Sequence, residues 1–133
     1  MSTEDSFPSL LLVEDDFALQ SVLEIALSEE GFEVVVANTG AAALEELTAG
    51  NTQFRAVITD IRLGKGPSGW EVARRAREIT SRLPIVYMSG DSAGEWTVYG
   101  VPASVMLQKP FVVAQLVTAV TTLLNIAGNA SAA

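Results

Sequence analysis

The sequence predicts an α/β fold in which helices cover both faces of a five-stranded parallel sheet. Five short apolar runs alternate with segments of helical periodicity, which is the order expected for parallel strands joined by helices. The runs are apolar throughout, so each strand is expected to be buried on both faces. The predicted architecture is therefore a doubly wound sheet.

The first two strand and helix units are defined by their apolar runs and by the residues that end their helices. The first run, 10–13, leads into a helix that ends at Gly31. Five apolar residues lie on one face of that helix: Leu19, Val22, Leu23, Ala26 and Leu27. The second run, 34–37, precedes a helix over about 40–48, with Asn38 or Thr39 as its candidate N-cap and Gly50 as its terminator.

The remaining three runs complete the predicted sheet. The third, 56–59, leads through a glycine-containing loop to a helix that opens with Ser68-Gly69-Trp70-Glu71, a pattern typical of a capping box. The fourth, 85–88, follows Pro84, and the fifth is 105–107. Glycine and proline between these two runs predict a short or irregular fourth helix.

The final helix is expected over about 112–124, and small residues follow it. Its apolar positions are Val113, Leu116, Val117, Val120 and Leu124. We therefore expect one domain over 9–126, preceded by an N-terminal tail over 1–8 and followed by a disordered tail over 127–133.

Composition narrows the class of protein. The 133 residues are 49% hydrophobic and 18% charged, which is typical of a folded domain. The net charge is −8 without a dense basic stretch, so nucleic acid is not an expected partner. His and Cys are absent, which excludes disulfides and Cys/His metal sites. The apolar runs are too short to cross a membrane and the acidic start does not resemble a secretory signal, so we expect a cytoplasmic protein.

Polar side chains follow four of the predicted strands. Glu14 and Asp15 follow the first strand, Asp60 the third, Ser89 the fourth and Lys109 the fifth. Because the carboxyl ends of parallel strands meet at one edge of a sheet, we expect these side chains to share one crevice.

The carboxylates of this group are suited to binding a hard divalent cation. Clustered acids repel one another unless a cation joins them, and Mg²⁺ suits a shallow site of carboxylates and water. Asp15 and Asp60 are the expected ligands, with Glu14 acting through water. A carboxylate can also attack phosphorus, while Lys109 and a hydrogen bond from Ser89 stabilise the phosphoryl oxygens. One acid of Glu14-Asp15-Asp16 is also expected to cap the first helix.

Four segments in chain order resemble the receiver domain of two-component response regulators. They are Leu11-Leu12-Val13-Glu14-Asp15-Asp16, Val57-Ile58-Thr59-Asp60, Met88-Ser89-Gly90 and Lys109-Pro110-Phe111. The resemblance extends from about Leu10 to Leu124. It implies a flavodoxin-like (βα)5 fold with strand order 2-1-3-4-5.

The resemblance also implies a role for each site residue. Asp60 is the implied phosphoacceptor, Asp15 a direct metal ligand and Glu14 the second acid. Ser89 is the implied switch hydroxyl, and Lys109 the amine that contacts the phosphoryl group, joined to Pro110 by a cis bond.

The implied function is that of a single-domain response regulator, a phosphoacceptor and not a classical enzyme. It would receive its phosphoryl group with Mg²⁺ from a sensor histidine kinase or a histidine phosphotransfer protein. Its output would be the binding of a downstream protein, without contact to nucleic acid or membrane.

Several positions depart from the family pattern. Leu63 and Gly64 replace a common Met-Pro pair, and Met106 replaces the usual aromatic switch residue. Arg62 and Asp91, each two positions beyond a site residue, are expected to form an ion pair over the site that slows hydrolysis.

Trp96 and Tyr99, in the irregular fourth helix, are candidates for a face read by a partner. They are equally compatible with partial burial in the core.

Three other functions compete with this interpretation. A receiver-shaped binding module would bind its partner equally well when Asp60 is replaced by asparagine. A phosphatase of the haloacid dehalogenase type would need a second Asp where Arg62 stands. A flavin carrier would need a loop rich in Ser, Thr and Gly after the first strand, where this chain has three acids.

Overall fold

Strands and helices alternate along the part of the chain that the structure describes. The computed structural model describes residues 8–132, with side chains through 126. The strands are β1 (Ser9–Val13), β2 (Glu33–Ala37), β3 (Phe54–Asp60), β4 (Ile85–Ser89) and β5 (Val105–Gln108). The helices are α1 (Phe17–Glu29), α2 (Gly40–Ala49), α3 (Gly69–Ile79), α4 (Trp96–Tyr99) and α5 (Val113–Ala132), and a 3₁₀ turn (Ala93–Glu95) precedes α4.

All five strands pair in parallel, in the order β2-β1-β3-β4-β5. β1 lies between β2 and β3, with Leu12 opposite Val36 on one side and Ile58 on the other. At the carboxyl edge, Asp60 of β3 pairs with Met88 of β4, which brings Ser89 next to the end of β3. The predicted doubly wound sheet and its strand order are confirmed.

Alternate residues of the strands enter two separate cores. Leu11 and Val13 of β1 pack on the face covered by α2 and α3, whereas Leu10 and Leu12 pack on the face covered by α1 and α5. Because successive strand residues point to opposite faces, strands covered on both sides must be apolar at every position. The unbroken apolar runs arise from this requirement.

Polar side chains set the helix starts close to where the sequence predicts them. Asp16 caps α1 by accepting from the amides of Ala18 and Leu19, and Thr39 caps α2. Ser68 and Glu71 form the predicted capping box of α3. Asp16 is therefore the capping acid of its triplet, which leaves Glu14 and Asp15 free to serve the site.

The buried face of α1 differs from the prediction. Val22 is 50% exposed, and Gln20 is buried together with Leu23 and Leu27. Residues 20, 23 and 27 share a helix face by the same periodicity that suggested Val22. A glutamine can occupy this face because its amide has hydrogen-bond partners there.

The fourth helix is short, as predicted, and the fifth is longer than predicted. α4 is a single short turn after the 3₁₀ turn, as the glycines in this segment predict. α5 continues to Ala132, beyond its predicted end near Leu124, because Asn125 and Ile126 do not interrupt a helix and Gly128 only weakens one. The predicted N-terminal tail lies outside the described residues except for Pro8, and the boundary of the C-terminal tail stays a prediction. No helix within residues 8–132 is long and apolar enough to cross a membrane.

Candidate functional site

Backbone hydrogen bonds hold the carboxyl ends of the strands side by side. The amide of Glu14 donates to the carbonyl of Ala37 at 3.1 Å, and the amide of Ile61 donates to that of Met88 at 3.1 Å. The amide of Lys109 donates to the carbonyl of Ser89 at 2.7 Å. The residues that follow the strands are thereby fixed along one edge of the sheet, as the topology predicts.

Three acids meet at this edge. Glu14, Asp15 and Asp60 each offer a carboxylate oxygen, and these oxygens lie within 4.8 Å of one another. Glu14 is buried, the Asp60 side chain is 12% exposed, and Asp15 is exposed to solvent. Hard oxygen donors in an arrangement open on one side fit Mg²⁺, which keeps several waters when it binds.

Lys109 supplies the positive charge of the cluster. Its Nζ donates to Glu14 Oε1 at 3.1 Å and to Asp60 Oδ2 at 3.1 Å. The lysine side chain is 25% exposed, so these ion pairs are only partly screened by water. The residue that follows β5 thus contacts the residue that follows β1 and the last residue of β3.

The surroundings of Glu14 and Lys109 shift the pKa of both groups. Burial raises the pKa of Glu14, the Asp60 charge raises it further, and hydrogen bonds from the Asp16 amide and Lys109 oppose the rise. Burial alone would lower the pKa of Lys109, but its contacts with Glu14 and Asp60 outweigh burial and raise it. Lys109 therefore stays an ammonium at neutral pH.

The Asp60 carboxylate is held in one orientation. Its Oδ1 accepts from the amide of Ile61 at 2.8 Å, and its Oδ2 accepts from Lys109. The Thr59 hydroxyl donates to the Asp60 carbonyl at 2.8 Å, and the Gly69 amide donates to the Ile61 carbonyl at 2.8 Å. Sequence reasoning missed the Ile61 amide because the identity of a residue carries no information about its backbone N–H.

Ser89 is positioned by the turn that follows β4. Its hydroxyl oxygen accepts from the amides of Asp91 at 3.2 Å and Ser92 at 2.6 Å, and the residue is 1% exposed. Within residues 8–126 no acceptor is recorded for the hydroxyl proton. Ser89 can therefore donate to an oxygen that enters the site.

The predicted pair between Arg62 and Asp91 is confirmed. Arg62 Nε lies 2.9 Å from Asp91, and both side chains are exposed. The hydrogen bond from Arg62, followed by that from Ser92, holds the pKa of Asp91 below its usual value. The effect of the pair on hydrolysis stays a prediction.

Gln20 supports the acidic segment, and sequence reasoning missed it. Its Nε2 donates to the carbonyl of Glu14 and to Asn38 Oδ1, so it joins the ends of β1 and β2. Its spacing of three and seven residues from Leu23 and Leu27 is the sequence feature that could have placed it on the buried face of α1.

The aromatic residues near α4 are divided between core and surface. Trp96 is half-buried, and its Nε1 donates to Ser104 Oγ at 2.9 Å. Tyr99 is 48% exposed. Met106, which replaces the usual aromatic switch residue of the family, lies opposite the buried Tyr87.

Comparisons with known proteins agree with this geometry. The sequence model of the response regulator receiver domain matches residues 10–121. A response regulator receiver protein of Sinorhizobium medicae is 47% identical, with a TM-score of 0.88 over 90% of this chain and 96% of that chain. The receiver domain of the sensor histidine kinase PA1611 of Pseudomonas aeruginosa, solved with magnesium in its active-site cleft, is 25% identical. Its TM-score is 0.74, over 90% of this chain and 99% of that chain.

Among curated proteins, the transcriptional regulatory protein PrrA of Mycobacterium leprae is 35% identical. The match covers 94% of this chain and 53% of the relative. The chain thus spans about half the length of this relative.

Proposed function

This chain belongs to the response regulator receiver family, and on that premise we propose that it accepts a phosphoryl group from a phosphohistidine donor onto Asp60. The observation that carries the proposal is the contact of Lys109 with both Glu14 and Asp60, beside a third acid. Neither a phosphatase nor a flavin site is favoured, since Arg62 replaces the second acid of the former and the acidic loop repels phosphate.

The proposed reaction is an in-line transfer between two nucleophiles. An Asp60 oxygen attacks phosphorus, the bond from phosphorus to the donor imidazole breaks, and the imidazole leaves as the acyl phosphate forms. Lys109 then exchanges its contact with Asp60 Oδ2 for a phosphoryl oxygen. Ser89 donates its free hydroxyl proton to another. The Ile61 amide keeps the carboxylate oriented.

The acids would hold the magnesium ion that such a transfer requires. Asp15 and Asp60 are the proposed direct ligands, and Glu14 is proposed to act through water. When bound, the ion would supply positive charge against the phosphoryl oxygens.

The proposed partners follow from this chemistry. The donor is a sensor histidine kinase or a histidine phosphotransfer protein, and the output is the binding of a downstream protein by the phosphorylated form. We place both events in the cytoplasm. Phosphorylation acts by shifting the population of conformations around Ser89 and β5.

Exposure of the protein to acetyl phosphate, with and without Mg²⁺, tests the proposal. Intact mass should show one added phosphoryl group that depends on Mg²⁺, is stable in acid and is labile in base. Asp60→Asn should abolish it. The matched control is Asp16→Asn. It makes the same replacement of a carboxylate by an amide close to the site, and asparagine can still cap a helix.

Two results would contradict the proposal. One is the absence of a Mg²⁺-dependent adduct on the wild type, and the other is an adduct that persists in Asp60→Asn. A wild type that is phosphorylated but binds its partner with the affinity of Asp60→Asn would instead support the phosphorylation-independent binding module.

A further inference from the structure

A second cavity lies at the edge of the sheet opposite the acidic site. Its volume is about 670 Å³. Residues at or just before the starts of three strands line it, namely Phe54 of β3, Pro84 before β4 and Ser104 before β5. Leu123 and Leu124 of α5 form another wall. The volume is in the range of sites for small organic molecules, about 300–1,000 Å³.

The charge around this cavity is opposite to that of the molecule. Arg55, Arg77 and Arg82 line it, and no carboxylate is present among the described lining residues. The chain as a whole has 16 acids and 8 bases. Three guanidinium groups therefore surround the cavity of a protein that is acidic overall.

One of the three arginines is held by hydrogen bonds to the backbone, and the other two are available to bind a ligand. Arg77 donates to the carbonyls of Leu83 at 2.6 Å, Pro102 at 2.7 Å and Ala103 at 3.3 Å, so it joins the loops before β4 and β5. Arg55 and Arg82 are exposed. Neither has a recorded ion pair or side-chain hydrogen bond with the described residues.

The backbone at the rim adopts an uncommon conformation. Arg82 has φ of 67° and Ala103 has φ of 57°. Within residues 8–132 these are the non-glycine residues with positive φ, and both line the cavity. Such conformations are uncommon for residues other than glycine and persist where the surroundings hold them. The Arg77 hydrogen bonds to Leu83 and Ala103 supply that support.

We propose that this cavity binds a small amphipathic anion. The apolar body of the ligand packs against Phe54, Leu83 and Leu124, and its carboxylate, sulfonate or phosphate group is bound by Arg55 and Arg82. Guanidinium groups form strong charge-assisted hydrogen bonds with such anions. The proposal does not depend on phosphorylation of Asp60, which lies at the other edge of the sheet.

Fluorescence titration with anilinonaphthalene sulfonate tests the proposal, since this probe has an apolar body and one sulfonate. We expect saturable binding to the native wild type, with one probe per chain. Arg55→Gln combined with Arg82→Gln should raise the Kd about tenfold or more. Arg74→Gln combined with Arg75→Gln is the matched control, because it removes the same charge from α3 outside the cavity and should leave the Kd unchanged.

The neutral analogue N-phenylnaphthylamine separates charge from apolar packing. We expect it to bind much more weakly than the sulfonate and equally to both double variants. Equal binding of the two probes, equal losses in the two double variants, or no saturable binding overturns the proposal. Thermal melts of every variant establish that the probe reports on the folded protein. Probe binding that appears only in a variant with a broadened melt also counts against the proposal.

Discussion

The charges at the carboxyl edge of the sheet do not balance one another. Lys109 brings one ammonium into contact with Glu14 and Asp60, while Asp15 adds a third carboxylate to the cluster. Burial raises the pKa of Glu14, which shows that its ionised form is held at a cost. A cluster with excess negative charge favours a divalent cation over further organic cations, because such an ion could be held directly by Asp15 and Asp60 and through water by Glu14.

Replacing Arg62 by alanine should speed loss of the phosphoryl group from Asp60. Arg62 forms an exposed ion pair with Asp91, and the prediction is that this pair shields the site, so that its removal would admit water more often. An exposed pair has a small effect, and we expect the hydrolysis rate to rise by no more than about fivefold. The measurement is the decay of the phosphorylated mass after acetyl phosphate is removed.

The chain offers a matched control for this change. Arg75 forms an exposed ion pair with Glu78 at 3.0 Å, within α3 and outside the acidic site. Arg75→Ala removes the same kind of side chain and should leave the decay unchanged. If the two variants decay alike, the pair between Arg62 and Asp91 has no protective role.

At the scale of elements, the start of α3 is packed directly against the end of β3, which carries Asp60. The Gly69 amide donates to the Ile61 carbonyl at 2.8 Å, which joins the first residue of α3 to the residue after Asp60. A Cβ on Gly69 would lie 2.1 Å from the Asp60 carbonyl oxygen. Since backbone cannot move aside like a flexible side chain, only glycine allows this approach.

Gly69→Ala should therefore destabilise the fold and disturb the orientation of Asp60. Overpacking of this kind costs about 2 kcal/mol, which urea unfolding can measure, and phosphorylation by acetyl phosphate should slow in parallel. Gly94→Ala is the control, because a Cβ at Gly94 would meet nothing within 4 Å. An unchanged urea midpoint in Gly69→Ala would show that α3 is free to shift.

The sequence predicts the elements well because each is specified locally. Unbroken apolar runs mark strands covered on both faces, and Ser68 with Glu71 marks the start of α3 by a spacing typical of a capping box. The burial of Gln20 in place of Val22 was not predictable from hydropathy alone. It depends on the Glu14 carbonyl and Asn38, which lie on other elements.

The site could be predicted only as a set of side chains. Strand ends and parallel topology bring Asp60, Ser89 and Lys109 to one edge of the sheet, and the resemblance to receiver domains implies a role for each of them. The sequence gives no sign of the Ile61 amide on Asp60 or of the amides of Asp91 and Ser92 on Ser89, because these are backbone groups. The basic cavity was missed because Arg55 and Arg82, which are proposed to bind the anion, lie on segments that only the fold brings together.

At the scale of the whole molecule, the two edges of the sheet have opposite charge. Glu14, Asp15 and Asp60 gather at the carboxyl edge, and Arg55 and Arg82 lie at the amino edge. The parallel topology produces this separation, because it places every strand end on one side and every strand start on the other. A divalent cation and an organic anion would therefore bind at opposite ends without competing.

Binding of Mg²⁺ at the acidic edge should stabilise the whole fold. At a concentration about 100 times its Kd, a ligand specific to the native state adds roughly 2.7 kcal/mol to the free energy of unfolding. Thermal melts in MgCl₂, compared with NaCl of equal ionic strength, should show a higher Tm for the wild type.

Asp15→Asn distinguishes specific binding from general screening because it has two effects of opposite sign. Without Mg²⁺ it removes one of three repelling carboxylates from an exposed position, so its Tm should equal or exceed that of the wild type. With Mg²⁺ it lacks one of the two proposed direct ligands and should lose most of the rise. Glu45→Gln, an exposed change on α2, should keep the full rise. A rise of equal size in Asp15→Asn would mean that Mg²⁺ acts on the net charge of −8 and not at this site.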